Sequence, residues 1–166
     1  VRIKTSLSGL DRIFAILDFI TFQFLQAPEF HRRLLEAFGS LDSMQQVQRS
    51  ITASLANEIG KELGVMRDRR ELESWAEPEL LAGQVTTAFI SSTIIWGSGL
   101  IREDQLTAAV QYGTGLVLAG VVAGDNVPLV RQRIEAAQEL LRDSQKISSK
   151  EQQYPDSPQA EKVQAG

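Results

Sequence analysis

The 166-residue sequence contains no cysteine and a single histidine, His31. The first absence removes disulfides, thiolate metal ligands and thiol nucleophiles together, and it agrees with a reducing, cytoplasmic location. The second leaves no pair of imidazoles, and neither Glu29 nor Glu36 stands at the i, i+4 spacing from His31 that a metal site on one helix face would use. His31 is therefore expected at the surface, with no metal site. Equally missing are a GxSxG elbow, a phosphate-cradling glycine loop and an HExxH helix, so no enzyme, catalytic residue or cofactor is predicted. There is no basic excess either. The net charge is −4 and the pI near 5.1, whereas a grip on nucleic acid draws on displacement of counterions by basic side chains. The run Lys61, Arg67, Arg69 and Arg70 is broken by Glu62, Asp68, Glu71 and Glu73 and reads as a solvated connection. The opening VRIKTSLSGL has neither the basic start and apolar run nor the cleavage site of a secretory leader. A first residue of valine suggests a fragment or processed chain.

What is present is a helical period. Hydrophobic residues make up 43% and charged residues 23%, a balance that lets the chain fold around a core of its own. Leu10, Ile13, Phe14, Leu17, Ile20, Phe24 and Leu25 recur at three and four residues and predict a first helix, with Ser8 as its N-cap. Ile16, Phe19 and Phe22 lie off that face, so this helix is expected to be covered on more than one side. Pro28 interrupts it and suits the first turn of a second helix, Glu29 to Phe38, which stops at Gly39. Leu41-Asp42-Ser43 is a capping signature. After it Met44, Val47, Ile51, Leu55, Ile59 and Leu63 predict a long third helix, weakened at its end by Gly60 and Gly64. A last helix runs from about Val127 to Lys146, with Leu129, Val130, Ile134, Ala137, Leu140 and Leu141 on one side. Residues 148–166 are polar, contain two prolines and show no apolar period. The expectation is one all-α domain over 1–147, a bundle of six or seven helices, with a tail over 148–166.

Between the third and the last helix, charge disappears. Leu80 to Ile101 and Gln105 to Gly124 carry none, and only Arg102-Glu103-Asp104 separates them. Gly97 and Gly99 end the first segment, while Glu103 and Asp104 suit the first turn of the second, where acids favour the helix dipole. This predicts a hairpin of two helices without a solvated face. Each carries two stripes. On the first, Leu81, Val85, Ala88, Phe89, Ser92, Ile95 and Trp96 oppose Gly83, Thr86, Thr87, Ile90, Ser91 and Ile94. On the second, Leu106, Val110, Gly113, Val117 and Gly120 oppose Ala108, Tyr112, Gly115, Ala119 and Val122. Soluble helices that are apolar or small all round are covered all round, and a second copy of the same hairpin is the simplest cover. A homodimer through a four-helix interface is expected, its candidate residues being Thr87, Ile90, Ser91, Ile94, Leu106, Val110, Gly113, Val117 and Gly120.

Three stretches resemble the C-terminal half of TetR/AcrR transcriptional repressors. GLDRIFAILDFITFQFLQAPEFHRRLLEAF looks like the family's long helix, its proline-glutamate step and the short helix after it. AEPELLAGQVTTAFISSTIIWGSGLIREDQLTAAVQYGTGLVLAGV looks like its last two helices, and the helix from Met44 falls where the family has its pocket wall. The likeness spans about Ser8 to Val122. It implies a cytoplasmic regulator whose small, lipophilic effector enters among these helices and alters the spacing of two DNA-binding headpieces across the dimer. The family's helix-turn-helix would precede Val1 and is not in this sequence, so DNA binding is implied only through that segment.

The candidate ligand-binding residues are bulky or amphipathic ones expected inside: Phe22, Met44, Val47, Ile51, Phe89 and Trp96, with Ser92 or Tyr112 as a hydrogen-bonding partner. Ordinary core packing explains each of them as well. Two rival classes stand beside the regulator. One is a dimeric helical scaffold or adaptor without a small ligand. The other is a membrane hairpin, since each uncharged segment is about twenty residues long; Gln84, Thr86, Thr87, Ser91, Ser92, Thr93 and Ser98 weaken that reading, and no membrane partner is expected.

Overall fold

The computed structural model describes residues 7, 9–38 and 42–152, with side chains over 7, 9–35 and 49–143. Those residues form six α-helices and no strand: α1 (Leu10–Gln26), α2 (Pro28–Phe38), α3 (Asp42–Asp68), α4 (Pro78–Gly97), α5 (Glu103–Ala119) and α6 (Asn126–Gln152). Ser8, Gly39, Leu41 and the tail beyond Gln152 lie outside the described residues.

Gly9, at a φ of 59°, is the N-cap residue of α1. A Cβ there would sit 3.1 Å from the Met66 side chain, and a left-handed residue suits glycine in any case. Its N–H donates to Glu62 Oε2 at 3.0 Å, and Glu62 Oε1 lies 2.9 Å from Arg12 Nε, so one carboxylate of α3 fixes the start of α1. Packing carries α3 past its weakening glycines to Asp68. Met66 and Leu63 are fully buried, and the helix continues past Gly60 and Gly64 because packing outweighs a glycine cost of about 1 kcal/mol each. Pro28 opens α2 after a bend of 101° from α1.

The core joins Ile13, Phe14 and Leu17 of α1, Ile59 and Leu63 of α3, Val85 and Trp96 of α4, Leu106, Val110 and Leu118 of α5, and Val130 of α6. Two connections are tied together across the bundle. Leu72 pairs with Val122 in a single antiparallel bridge, the Glu73 N–H donates to the Val121 carbonyl at 2.8 Å, and the Ala123 N–H donates to the Glu71 carbonyl at 2.9 Å. The α3–α4 and α5–α6 links are thus hydrogen-bonded to each other.

The last helix outlasts its predicted end at about Lys146 and continues through Ser148 and Ser149 to Gln152. Its inner side is narrower than its apolar pattern: Val130 and Ala137 are buried, while Leu129 and Leu140 are exposed. Among the described residues, α4 is the one single helix long and apolar enough to cross a bilayer, and its side chains Val85, Phe89 and Trp96 are buried among the other helices.

Candidate functional site

An apolar groove of about 550 Å³ lies between α1 and α3. Ile16, Phe19, Ile20 and Phe24 supply one wall at three- and four-residue steps, Ile51 and Leu55 the other, and Phe89 of α4 reaches it from within. Ser50 and Ser54 add hydroxyls, and Arg12 and Glu58 stand at one end. Of the predicted ligand-binding residues, the structure brings Ile51 and Phe89 to this groove. Met44 and Val47 fall where side chains are not described.

The remaining four are corrections. Phe22 is 44% exposed and lines no part of the groove, because it sits on the solvent side of α1 rather than toward α3. Trp96 is 0% exposed and belongs to the core. Ser92 is buried in the α4–α5 contact, its hydroxyl donating to the Ala88 carbonyl at 3.0 Å. Tyr112 is half-buried on α5, away from the groove. Ile16 and Phe19 were visible, with Phe22, as apolar residues off the main face of the first helix, whereas Ile20 and Phe24 were read on that face; the missing information was which neighbour covered them.

Phe24 connects the groove to the rest of the bundle. Its ring lies 6.2 Å edge-on from both Phe89 and Trp96 and stacks on His31 at 4.7 Å. The His31 Nδ1 is 2.9 Å from the Ala27 carbonyl, so the one histidine closes the α1–α2 bend, half-buried rather than free at the surface. The Arg32 guanidinium lies 5.1 Å over the Trp96 ring and 3.3 Å from both Glu29 and Glu103. The Trp96 indole N–H is buried without an acceptor. Beside this cluster, a wider hollow of about 610 Å³ is lined by Arg32, Gly97–Gly99 and Ile101–Asp104. It is wide open and only half apolar, and its acids already hold Arg32 and Arg102. The α1–α3 groove is the better ligand site, because apolar walls with a few polar groups are what small-molecule pockets require.

The second candidate site is the outer face of α4 and α5. These helices run antiparallel, with Gly113 against Ala88 and Ser92: a Cβ on Gly113 would sit 3.5 Å from the Ala88 Cβ. Leu80, Gln84, Thr87, Ser91 and Ile94 of α4 are exposed in helical register, and so are Leu116, Ala119 and Gly120 of α5. Leu80 is 66% exposed and Leu116 52%. No charged side chain lies within this set.

Predicted interface residues divide accordingly. Thr87, Ser91, Ile94 and Gly120 are on the outer face. Ile90 and Val117 are half-buried against the core. Leu106 and Val110 are completely buried in the chain's own interior, and Gly113 faces α4, so these three are corrected from interface to core. The reason is α6. It packs along α5, with Ile134 against Gly115, and so turns the Leu106–Val110 stripe inward toward α1 and α4. Ile95, which its spacing groups with Val85, Phe89 and Trp96, is exposed, unlike those three.

Among the described residues no group of three or more histidine, aspartate or glutamate side chains could hold a metal ion. No protein-family model, curated protein or solved structure matches the chain.

Proposed function

We propose that this chain is the effector-binding and homodimerisation domain of a TetR-type repressor, acting on DNA through a helix-turn-helix headpiece on the N-terminal side. One observation carries the reading: α4 is two-sided. Its inner side sends Phe89 into the ligand-sized groove, and its outer side presents Thr87, Ser91 and Ile94 on the uncharged face. A molecule that fills the groove presses on the same helix that a second copy would cover. Such a molecule regulates only if it binds one dimer geometry better than the other, because equal affinity shifts no equilibrium. The resemblance of the α1–α2 step and of the α4–α5 pair to that family supports the reading independently of the groove.

The coding sequence immediately upstream of Val1 provides the test. A basic three-helix segment ending in a helix-turn-helix is the expected result. An initiation codon directly before Val1, or an unrelated domain, would overturn the repressor reading and leave a dimeric helical scaffold in its place.

A further inference from the structure

Resting on the reading of the α1–α3 groove as an effector site, we infer that its ligand is an uncharged lipophile, with no more polarity than a hydroxyl or a carbonyl. The groove offers a charged ligand no free counter-charge. Among the described residues, the charged side chains of its lining are Arg12 and Glu58, opposite in sign and together at one end. Each is already paired with a residue outside the lining. Arg12 Nε is 2.9 Å from Glu62 Oε1, and Glu58 Oε1 accepts from Lys61 Nζ at 2.5 Å. Two cations thus stand against two carboxylates, and the end of the groove is electrically balanced. Lys61, by its hydrogen bond and its charge, holds the Glu58 carboxyl below the ordinary value of 4.5, and the charge of Arg12 adds to this, so the Glu58 pair stays ionised at neutral pH.

Beyond that end the walls are apolar. Ile16, Ile20 and Phe24 continue the line of Arg12 along α1, and at 1.5 Å per residue the twelve steps from Arg12 to Phe24 cover about 18 Å. Ser50 and Ser54, one turn apart on α3, add two hydroxyls. A hydroxyl both donates and accepts, so it satisfies a ligand hydroxyl or carbonyl but does not neutralise a charge. An ionised head that leaves water for such a surface loses its hydration and gains no unpaired opposite charge, whereas an uncharged molecule loses far less. A carboxylate at the charged end would compete with Glu62 for Arg12 and be repelled by Glu58. An ammonium would compete with Lys61 for Glu58 and be repelled by Arg12.

Calorimetric titration of the chain with decanol, decanoate and decylammonium at neutral pH, below their micelle concentrations, tests this. Decanol is expected to bind tightest, by about tenfold or more over either charged head. Octanol binds about tenfold more weakly than decanol, as loss of two buried methylenes requires. Two substitutions outside the lining unbalance the charged end. Glu62→Gln leaves Arg12 without its counter-charge while the amide oxygen still accepts from the Gly9 N–H, and decanoate should gain about tenfold against decanol. Lys61→Met leaves Glu58 without Lys61, and because that pair is exposed the gain for decylammonium is smaller, about twofold. Decanol affinity stays at its wild-type value in both variants, which certifies that they are folded. Ser54→Trp, which fills the groove, weakens all binding. A charged head that binds as tightly as decanol, or a decanoate affinity that Glu62→Gln leaves unchanged, overturns the assignment of an uncharged ligand while leaving the cavity in place. If no probe binds, or Ser54→Trp changes nothing, the groove is not an effector site and the reading beneath the inference fails with it.

Discussion

An alanine at Gly64 meets open space within 4 Å, whereas an alanine at Gly115 would place its Cβ 2.6 Å from Ile134 Cγ1. Both glycines are inside helices, so each replacement gains about 1 kcal/mol of helix propensity. Only at Gly64 is that gain free. Gly64→Ala is expected to raise stability by roughly 0.5–1 kcal/mol, and Gly115→Ala to lower it by about 1–2 kcal/mol as α6 is displaced from α5. Urea denaturation of the two variants separates them in sign. A second expectation at this scale concerns acid. Asp104 is held below its ordinary value of 3.8 by Arg102, and Glu58 below 4.5 by Lys61. A lowered folded-state value stabilises above the ordinary value and is lost as the pH falls through the folded one. Asp104→Asn and Glu58→Gln should therefore flatten the acid loss of melting temperature between neutral pH and about pH 3. Both groups are exposed, so the effect is small and declines with added salt.

At the scale of helices, Phe24 places Trp96 next to the groove without making it a wall residue. Trp75 is exposed and Trp96 buried, so Trp75→Phe isolates the buried reporter. Its emission should shift when a lipophilic probe fills the groove, through Phe24. A Trp75→Phe protein that binds the probe without any change in Trp96 emission would show that the aromatic contacts do not relay occupancy. Helix order was readable from period for α1, α3 and α6, whose apolar residues recur at three- and four-residue steps, and the number to within one, six or seven expected against the six described. The hairpin was readable from the Arg102–Asp104 interruption and the glycines before it. The facing of α4 and α5 was not. An uncharged helix has two stripes of equal standing, and the decision between them lies with α6, whose Ile134 fits a glycine distant in sequence. The groove was half readable for a related reason: Ile16, Phe19 and Phe22 advertised an extra cover on α1, but nothing local named α3 as its partner or excluded Phe22. Gly9 rather than Ser8 at the cap follows from Met66 and Glu62, both more than fifty residues away.

For the whole molecule, the uncharged face of α4 and α5 is the feature that most needs an explanation. A chain with 23% charged residues leaves Leu80, Thr87, Ser91, Ile94, Leu116 and Ala119 exposed on adjacent helices without a charge among them. Contiguous surfaces of that kind mark association, and a self-complementary one closes into a two-fold dimer. Gly113→Leu does not test this, since it would crowd Ala88 within one chain and destabilise the fold by about 1–3 kcal/mol. Leu116→Glu does, because it places a charge at the centre of the face without touching the core. Light scattering is the decisive measurement. The wild-type chain of 18.3 kDa should have a dimer mass of 2 × 18.3 = 36.6 kDa, and Leu116→Glu should return it to 18.3 kDa with its helical circular dichroism intact. A wild-type mass of one chain, or a dimer that Leu116→Glu leaves unchanged, would contradict the account.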